Sequence, residues 1–295
     1  MKIGIAGAGR MGGAMVLRLL ELDHEVHVWN RSQARLAPLL EAGAQAAATP
    51  AALAGAVEVI ISSLLDASAL AEVYEGAQGL LSVSLNGKLI IEMSTVLPDD
   101  EIALAAKVRA QGGAFLECPV GGTVGPARTG KLLGLAGGEA ADFVRARPML
   151  DQLCRRVEHV GPVGAGASMK LAINLPLLVF YQAFGEAFTL CRHLGLSTEW
   201  LVDFFSDTSG GANVLKARRD PIAKALAGED IGPASFAVDA IRKDLRTMIA
   251  EAAKQNMELP VTARTLEVYD AASRAGLGDK DGAALTAFWS RHART

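Results

Sequence analysis

The segment that most constrains this chain lies at its start. Residues 2–6 (KIGIA) are a short apolar run, closed at once by Gly7-Ala8-Gly9-Arg10-Met11-Gly12. A helical pattern follows, with Met15, Leu17, Leu19, Leu20 and Leu22 apolar, and then a second strand-like run, Glu25 to Trp29. Strand, glycine turn, helix, strand is one βαβ unit. A G-x-G-x-x-G alone is a weak signal, but directly after a strand and at the opening of a helix it has a mechanism. Gly7 permits the tight turn, Gly9 lets the backbone approach a pyrophosphate, and Gly12 allows close packing of helix on strand. Arg10 and Met11 complete the loop, and the helix N-terminus presents unpaired N–H groups and a favourable dipole to an anion. The spacing predicts a dinucleotide site, against the plainer alternative that the glycines only make a turn.

The end of the second strand reports on which dinucleotide. An acid there would bond a ribose 2′-OH and repel a 2′-phosphate. This chain has Asn30, Arg31 and Ser32, with Arg35 close behind. Cation and hydroxyl donors without a carboxylate favour phosphate, so NADP(H) is the preferred cofactor. NAD(H) stays possible if Arg31 is a solvated residue stacking on adenine.

The alternation continues. Helix 33–42, strand 44–47, helix 50–54, strand 57–65, helix 67–74, strand 88–92, helix 98–111 and strand 114–118 follow in order. A glycine-rich loop, a strand near Leu132-Leu133, helix 140–154 and strand 157–160 complete the series. Strands alternating with helices imply a Rossmann-type doubly wound parallel sheet, with ligands at the carboxyl ends of its strands. That rule puts Leu64-Leu65 and Ser94-Thr95 at the cofactor edge. Beyond His193 the pattern is purely helical, over 197–206, 215–227, 237–255, 260–275 and 283–290. The expected organisation is a dinucleotide domain, 1–162, and an all-helical domain, 163–295, joined by a long helix at about 165–194.

That helix is apolar nearly all round, yet carries Lys170 and Asn174 near its start. Four residues apart, they share one helical face. Spacing alone leaves open whether they cap and snorkel at the helix edge or converge on a ligand. The stretch Leu171–Cys191 is about long enough to cross a bilayer. It holds Asn174, Pro176, Gln182 and Glu186, however, so a core or subunit-interface helix is the better reading.

Composition narrows the class. The 295 residues, 51% hydrophobic and 21% charged with a net charge of −3, suit a folded protein with a sizeable core. Without a basic run, neither nucleic acid nor a membrane surface is an expected partner. Cys118, Cys154 and Cys191 are scattered, and no Cys or His spacing fits a metal. Reduced thiols and a start lacking signal-peptide character point to the cytoplasm. Cys118 reads as a small buried hydrophobe. Ser209-Gly210-Gly211 with Asn213 fit a cleft wall or a helix–helix turn equally well.

Taken together and in order, the motifs resemble the β-hydroxyacid dehydrogenase family. They are GAGRMG at 7–12, VWNRS at 28–32, EMSTVLP at 92–98, CPVGG at 118–122, GAGASMKLAIN at 164–174, KDL at 243–245 and GLGDKDGAA at 276–284. The Asn-Arg-Ser and the FLEC–PV segment look most like the glyoxylate/succinic semialdehyde reductase branch. The resemblance implies Lys170 as catalytic acid/base and Asn174 as the amide holding substrate. It implies cofactor contacts at Thr95 and Leu64-Leu65, and Lys243 as a lysine that closes on the cofactor from the helical domain. Gly121, Gly122 and Thr123 match the substrate loop, and the long helix matches the core of a homodimer or homotetramer. Two departures stand out. Gly121 replaces the loop's usual serine, with Thr123 where a glycine is usual, and Ile173 replaces the first of two asparagines. The first weakens the case for a carboxylate substrate and the second makes the site greasier.

These residues suit hydride transfer between a nicotinamide and a small carbonyl or hydroxy compound, a semialdehyde or a 2- or 3-hydroxy acid. The ammonium of Lys170 would serve the alkoxide that forms. Two alternatives remain: an imine reductase, which generally lacks such a lysine, and a catalytically silent dinucleotide-binding dimerisation module.

Overall fold

Short runs of Ile, Val and Leu, each closed by a loop and a helix, build the first half of the chain. In order these are β1 (Lys2–Ala6), α1 (Arg10–Glu21), β2 (Glu25–Trp29), α2 (Ala37–Glu41), β3 (Gln45–Ala46), α3 (Pro50–Ala56) and β4 (Val59–Ser62). Then come α4 (Ala67–Glu75), β5 (Leu89–Glu92), α5 (Pro98–Ala110), β6 (Ala114–Glu117), β7 (Val120–Gly121) and α6 (Val124–Arg128). β8 (Leu132–Gly138), α7 (Ala140–Leu153) and β9 (Cys154–Gly161) lead into α8 (Ala165–Cys191). The computed structural model describes residues 1–292, except the side chains of Asn213, Arg291 and His292.

The strands form one sheet in the order β3-β2-β1-β4-β5-β6-β8-β7, with β9 beside β8. Pairing is parallel from β3 through β6. The strand order reverses direction between β1 and β4, which is where a doubly wound sheet opens a crevice at its carboxyl edge. β8 then runs antiparallel to β6 and β7, and β9 parallel to β8. Side chains alternate between two cores. Ile3, Ile5, Val28, Ile61 and Ile91 face one with Met15 and Leu150, while Ile60, Ile90 and Phe115 face the other with Leu53, Leu70 and Leu104.

Several elements differ from the sequence expectation for physical reasons. The strand expected over 57–65 is β4 alone, which leaves Leu64-Leu65 on the loop beyond it. The helix expected over 33–42 is a 3₁₀ turn, Gln33–Arg35, followed by α2, because Pro38 has no N–H to continue a ladder. The loop after β6 contains β7 and the short helix α6.

The rest of α8 is followed by α9 (Thr198–Ser206), α10 (Asn213–Ala217), α11 (Arg219–Ala227), α12 (Val238–Lys254), α13 (Pro260–Ala272) and α14 (Ala284–His292). The single helix expected over 215–227 is two, since Pro221 cannot bond back to Ala217. Phe184 and Phe188 of α8 are buried, as are Leu201, Val202, Ile222, Ile241 and Leu285. α14 crosses α8 at Gly185, where a Cβ would lie 3.2 Å from Thr286. The buried Asp281 ties its own segment down, accepting from Arg218 at 2.5 Å, Ser235 N–H at 2.8 Å and Ala283 N–H at 3.0 Å. The chain divides into compact units Met1–Leu171 and Ala172–Thr295. The division thus falls inside α8, because the first turns of that helix are fastened to the sheet.

Candidate active site

The glycine loop is shaped by close approach. Gly7 has φ +99°, and a Cβ on it would overlap the Ser63 carbonyl. A Cβ on Gly12 would overlap the carbonyl of Gly7, so only glycine lets α1 begin here. Gly9 is the N-cap, no acid stands in the first turn of α1, and Arg10 and Met11 are its first residues. The nearest obstruction over Gly9 is Arg35 Nη1, 3.9 Å from an ideal Cβ. Bare backbone donors with a guanidinium alongside fit the phosphates of a nicotinamide dinucleotide.

At the end of β2, the Asn30 amide donates to the Ser32 carbonyl at 2.8 Å, folding the loop on itself. Arg31 is exposed and pairs with Glu72 of α4 at 2.9 Å. The next loop is tied across the sheet: Leu64 N–H donates to Ser94 Oγ at 2.8 Å, and Ser94 N–H donates to Glu92 Oε2 at 2.8 Å. Ser94 Oγ also donates to Glu92 Oε1. Leu65 is exposed and Thr95 half-buried on this edge. Beneath them, Ser62 Oγ lies 2.6 Å from Tyr74 Oη and 3.4 Å from Glu92. Burial raises the Glu92 carboxyl above the usual carboxylate range.

Lys170 and Asn174 stand one turn apart on α8, each only 7% exposed. A lysine buried to that degree is not snorkelling. Asn174 Nδ2 donates to Asp244 Oδ2 at 3.3 Å, and Asp244 Oδ1 lies 2.5 Å from Lys243 Nζ. One carboxylate on α12, itself 3% exposed, therefore holds two of the residues singled out from the sequence. Ile173 is 37% exposed, with Met169 beside it on the neighbouring stripe of the helix.

Gly121 lies in β7, paired with Leu133 of β8. Gly122 has φ +123°, and a Cβ there would press on Leu132 and Pro126. Thr123 is the N-cap residue of α6 but makes no side-chain cap bond to it. Cys118 is buried, and burial pushes its thiol well above the ordinary range, which makes it a packing residue. The side chain of Asn213 lies outside the described residues.

A family model described as the NAD binding domain of 6-phosphogluconate dehydrogenase matches residues 2–161. Another, described as NAD-binding of NADP-dependent 3-hydroxyisobutyrate dehydrogenase, matches residues 164–289. Glyoxylate/succinic semialdehyde reductase 1 from Arabidopsis thaliana is 33% identical over 97% of this chain and 97% of its own length. The chain belongs to the β-hydroxyacid dehydrogenase family. A solved 3-hydroxyisobutyrate dehydrogenase from Salmonella typhimurium superposes with a TM-score of 0.87 at 26% identity, covering 98% of this chain and 99% of its own. A structure described as Psf3 in complex with NADP+ and 2-OPP has the same TM-score and identity, covering 97% and 99%. This β-hydroxyacid dehydrogenase is accordingly an NAD(P)-dependent oxidoreductase.

Sequence reasoning passed over Asp244 and Glu92. No local spacing points to Asp244, because its partner Asn174 is 70 positions away. For Glu92 the available signal is a charged residue closing the apolar run KLIIE.

Proposed function

We propose that the enzyme reduces a small carbonyl compound, a semialdehyde or a 2- or 3-oxo acid, with NADPH preferred and Lys170 as proton donor. The observation that carries this is a buried lysine one turn from an asparagine whose amide is oriented by a buried acid. The nicotinamide, when bound, supplies the hydride. Gly7, Gly9, Gly12 and the N-terminus of α1 would hold its phosphates, and Arg31 and Arg35 a 2′-phosphate. Lys170 stabilises the oxygen as it gains charge and gives it a proton. Asn174, fixed by Asp244, orients the carbonyl. The N–H groups of Gly121 and Gly122, with the Thr123 hydroxyl, would receive an acidic tail. The Arabidopsis relative's name supports a semialdehyde.

The test is oxidation of NADPH and NADH against semialdehydes, glyoxylate, ketones and cyclic imines, with Lys170→Ala beside the wild type. We expect aldehyde turnover with NADPH favoured. Lys170→Ala should keep NADPH binding and lose about 10²–10⁴ in kcat, the usual range for a positioned acid. Turnover confined to imines, or a fully active Lys170→Ala, would overturn the reading.

A further inference from the structure

A polar row replaces the apolar core where the central strands end. Ile60, Ile90 and Phe115 cover one face of β4, β5 and β6. Two residues on, that face carries Ser62, Glu92 and Glu117, adjacent in register. Glu117 has no exposed surface, and its carboxylate leaves the sheet to meet the start of α8. Its Oε1 accepts from Gly164 N–H at 2.6 Å and Gly166 N–H at 2.8 Å, and its Oε2 from Ala167 N–H at 3.3 Å. Two glycines make room for it. A Cβ on Gly137 would overlap Oε1, and one on Gly166 would stand 3.2 Å from the carboxyl carbon. A carboxylate on the first N–H groups of a 27-residue helix satisfies orphan donors and the dipole together. Lys170 follows Ala167 by three residues, less than one turn. Any tilt of the first turn therefore moves the ammonium.

We propose that Glu117 is a positioning residue for the catalytic helix: its carboxylate fixes the first turn of α8, and its ionisation governs turnover rather than cofactor binding. This rests on Lys170 being the proton donor. The groups facing Glu117 are acids, namely Glu92 from β5, Glu101 from α5 and its neighbour Cys118. Burial pushes Glu117 up to about 7, opposed by its three backbone bonds. Ionised, it holds those bonds at full strength; protonated, it loses their charge assistance. Turnover therefore rises with pH through about 7, and that limb belongs to Glu117.

Steady-state kinetics on the full-length enzyme test this. Glu117→Gln is nearly isosteric but turns an N–H toward N–H donors. Its kcat should fall about 10–100-fold, as for a small misplacement of a reacting group, with KM for NADPH unchanged and the limb near pH 7 gone. Glu117→Asp, which keeps the charge, should retain a limb. An unaltered kcat and pH profile in Glu117→Gln, with Lys170→Ala inactive, sinks this proposal and leaves the lysine standing. A fully active Lys170→Ala sinks the lysine reading instead. Parallel loss of kcat and NADPH affinity marks a merely structural residue and also overturns it. Should Glu117→Gln not fold, amide exchange in the wild type decides. Protection of Gly164, Gly166 and Ala167 must rise across the pH range around 7, and a flat profile refutes the anchor.

Discussion

Asp244 divides one carboxylate between two partners, the Asn174 amide at 3.3 Å and the Lys243 ammonium at 2.5 Å. A buried hydrogen bond to a charged group is worth about 1.5–3 kcal/mol. Asp244→Asn should thus lower kcat/KM for the carbonyl substrate by roughly 10–100-fold, measured at saturating NADPH. Wild-type kcat/KM would show that the amide is held by something else. Arg31 makes a subtler case. Glu72 competes for its guanidinium at 2.9 Å, with both side chains exposed. An exposed pair is worth at most about 1 kcal/mol. Glu72→Gln should therefore lower KM for NADPH by about two- to fivefold and leave KM for NADH alone. Equal effects on both cofactors would remove Arg31 from the 2′-phosphate. At this scale the sequence was informative where function follows local spacing, as with Lys170 and Asn174 on one turn. It was silent where a contact joins distant segments, as with Arg31 to Glu72, because no periodicity records which helix an exposed side chain meets.

The elements that could be read in advance were those whose apolar period is undisturbed, β1, α1, β2, β5 and α12 among them. Proline decided two of the others: Pro38 shortens one expected helix and Pro221 splits another. The reversal of β8 was hidden because a run such as LLGLAGG suits either strand direction. The acids that end β5 and β6 show what pattern alone leaves out, since a strand-terminal Glu reads as a solvated edge. α5 adds Glu101 to that buried row, its carboxyl set against that of Glu92. Burial, with the charge of Glu92 beside it, pushes the Glu101 carboxyl well above the ordinary range. The folded chain therefore holds this proton more tightly than the unfolded one. That stabilisation is complete below the unfolded pKa and is lost as pH rises through the folded value. Chemical denaturation should show wild type weakening relative to Glu101→Gln with rising pH, by up to about 1.4 kcal/mol per pH unit. Parallel stability curves would mean that Glu101 is already ionised or solvated.

At the scale of the molecule, α8 leaves a surplus. It is apolar enough to span a bilayer by length and composition, yet only 44% of its most apolar stretch is buried within the chain. Leu190 near its end and Leu194 just beyond it are exposed, as are Trp200 and Phe204 on α9, which stack on each other at 4.9 Å. Exposed apolar surface of this kind marks an interaction face. A bilayer is a poor occupant, because α8 also carries Gln182 and Glu186, bonded to each other at 2.8 Å. We propose that a second copy of the chain covers this surface. Light scattering on the purified enzyme should then give a native mass of at least two chains. Leu190→Asp combined with Phe204→Asp should shift it to one chain with the helical circular dichroism preserved. A wild type that is already a single chain, or that enters solution only with detergent, would defeat this assignment. A double variant that stays oligomeric would move the interface off this face.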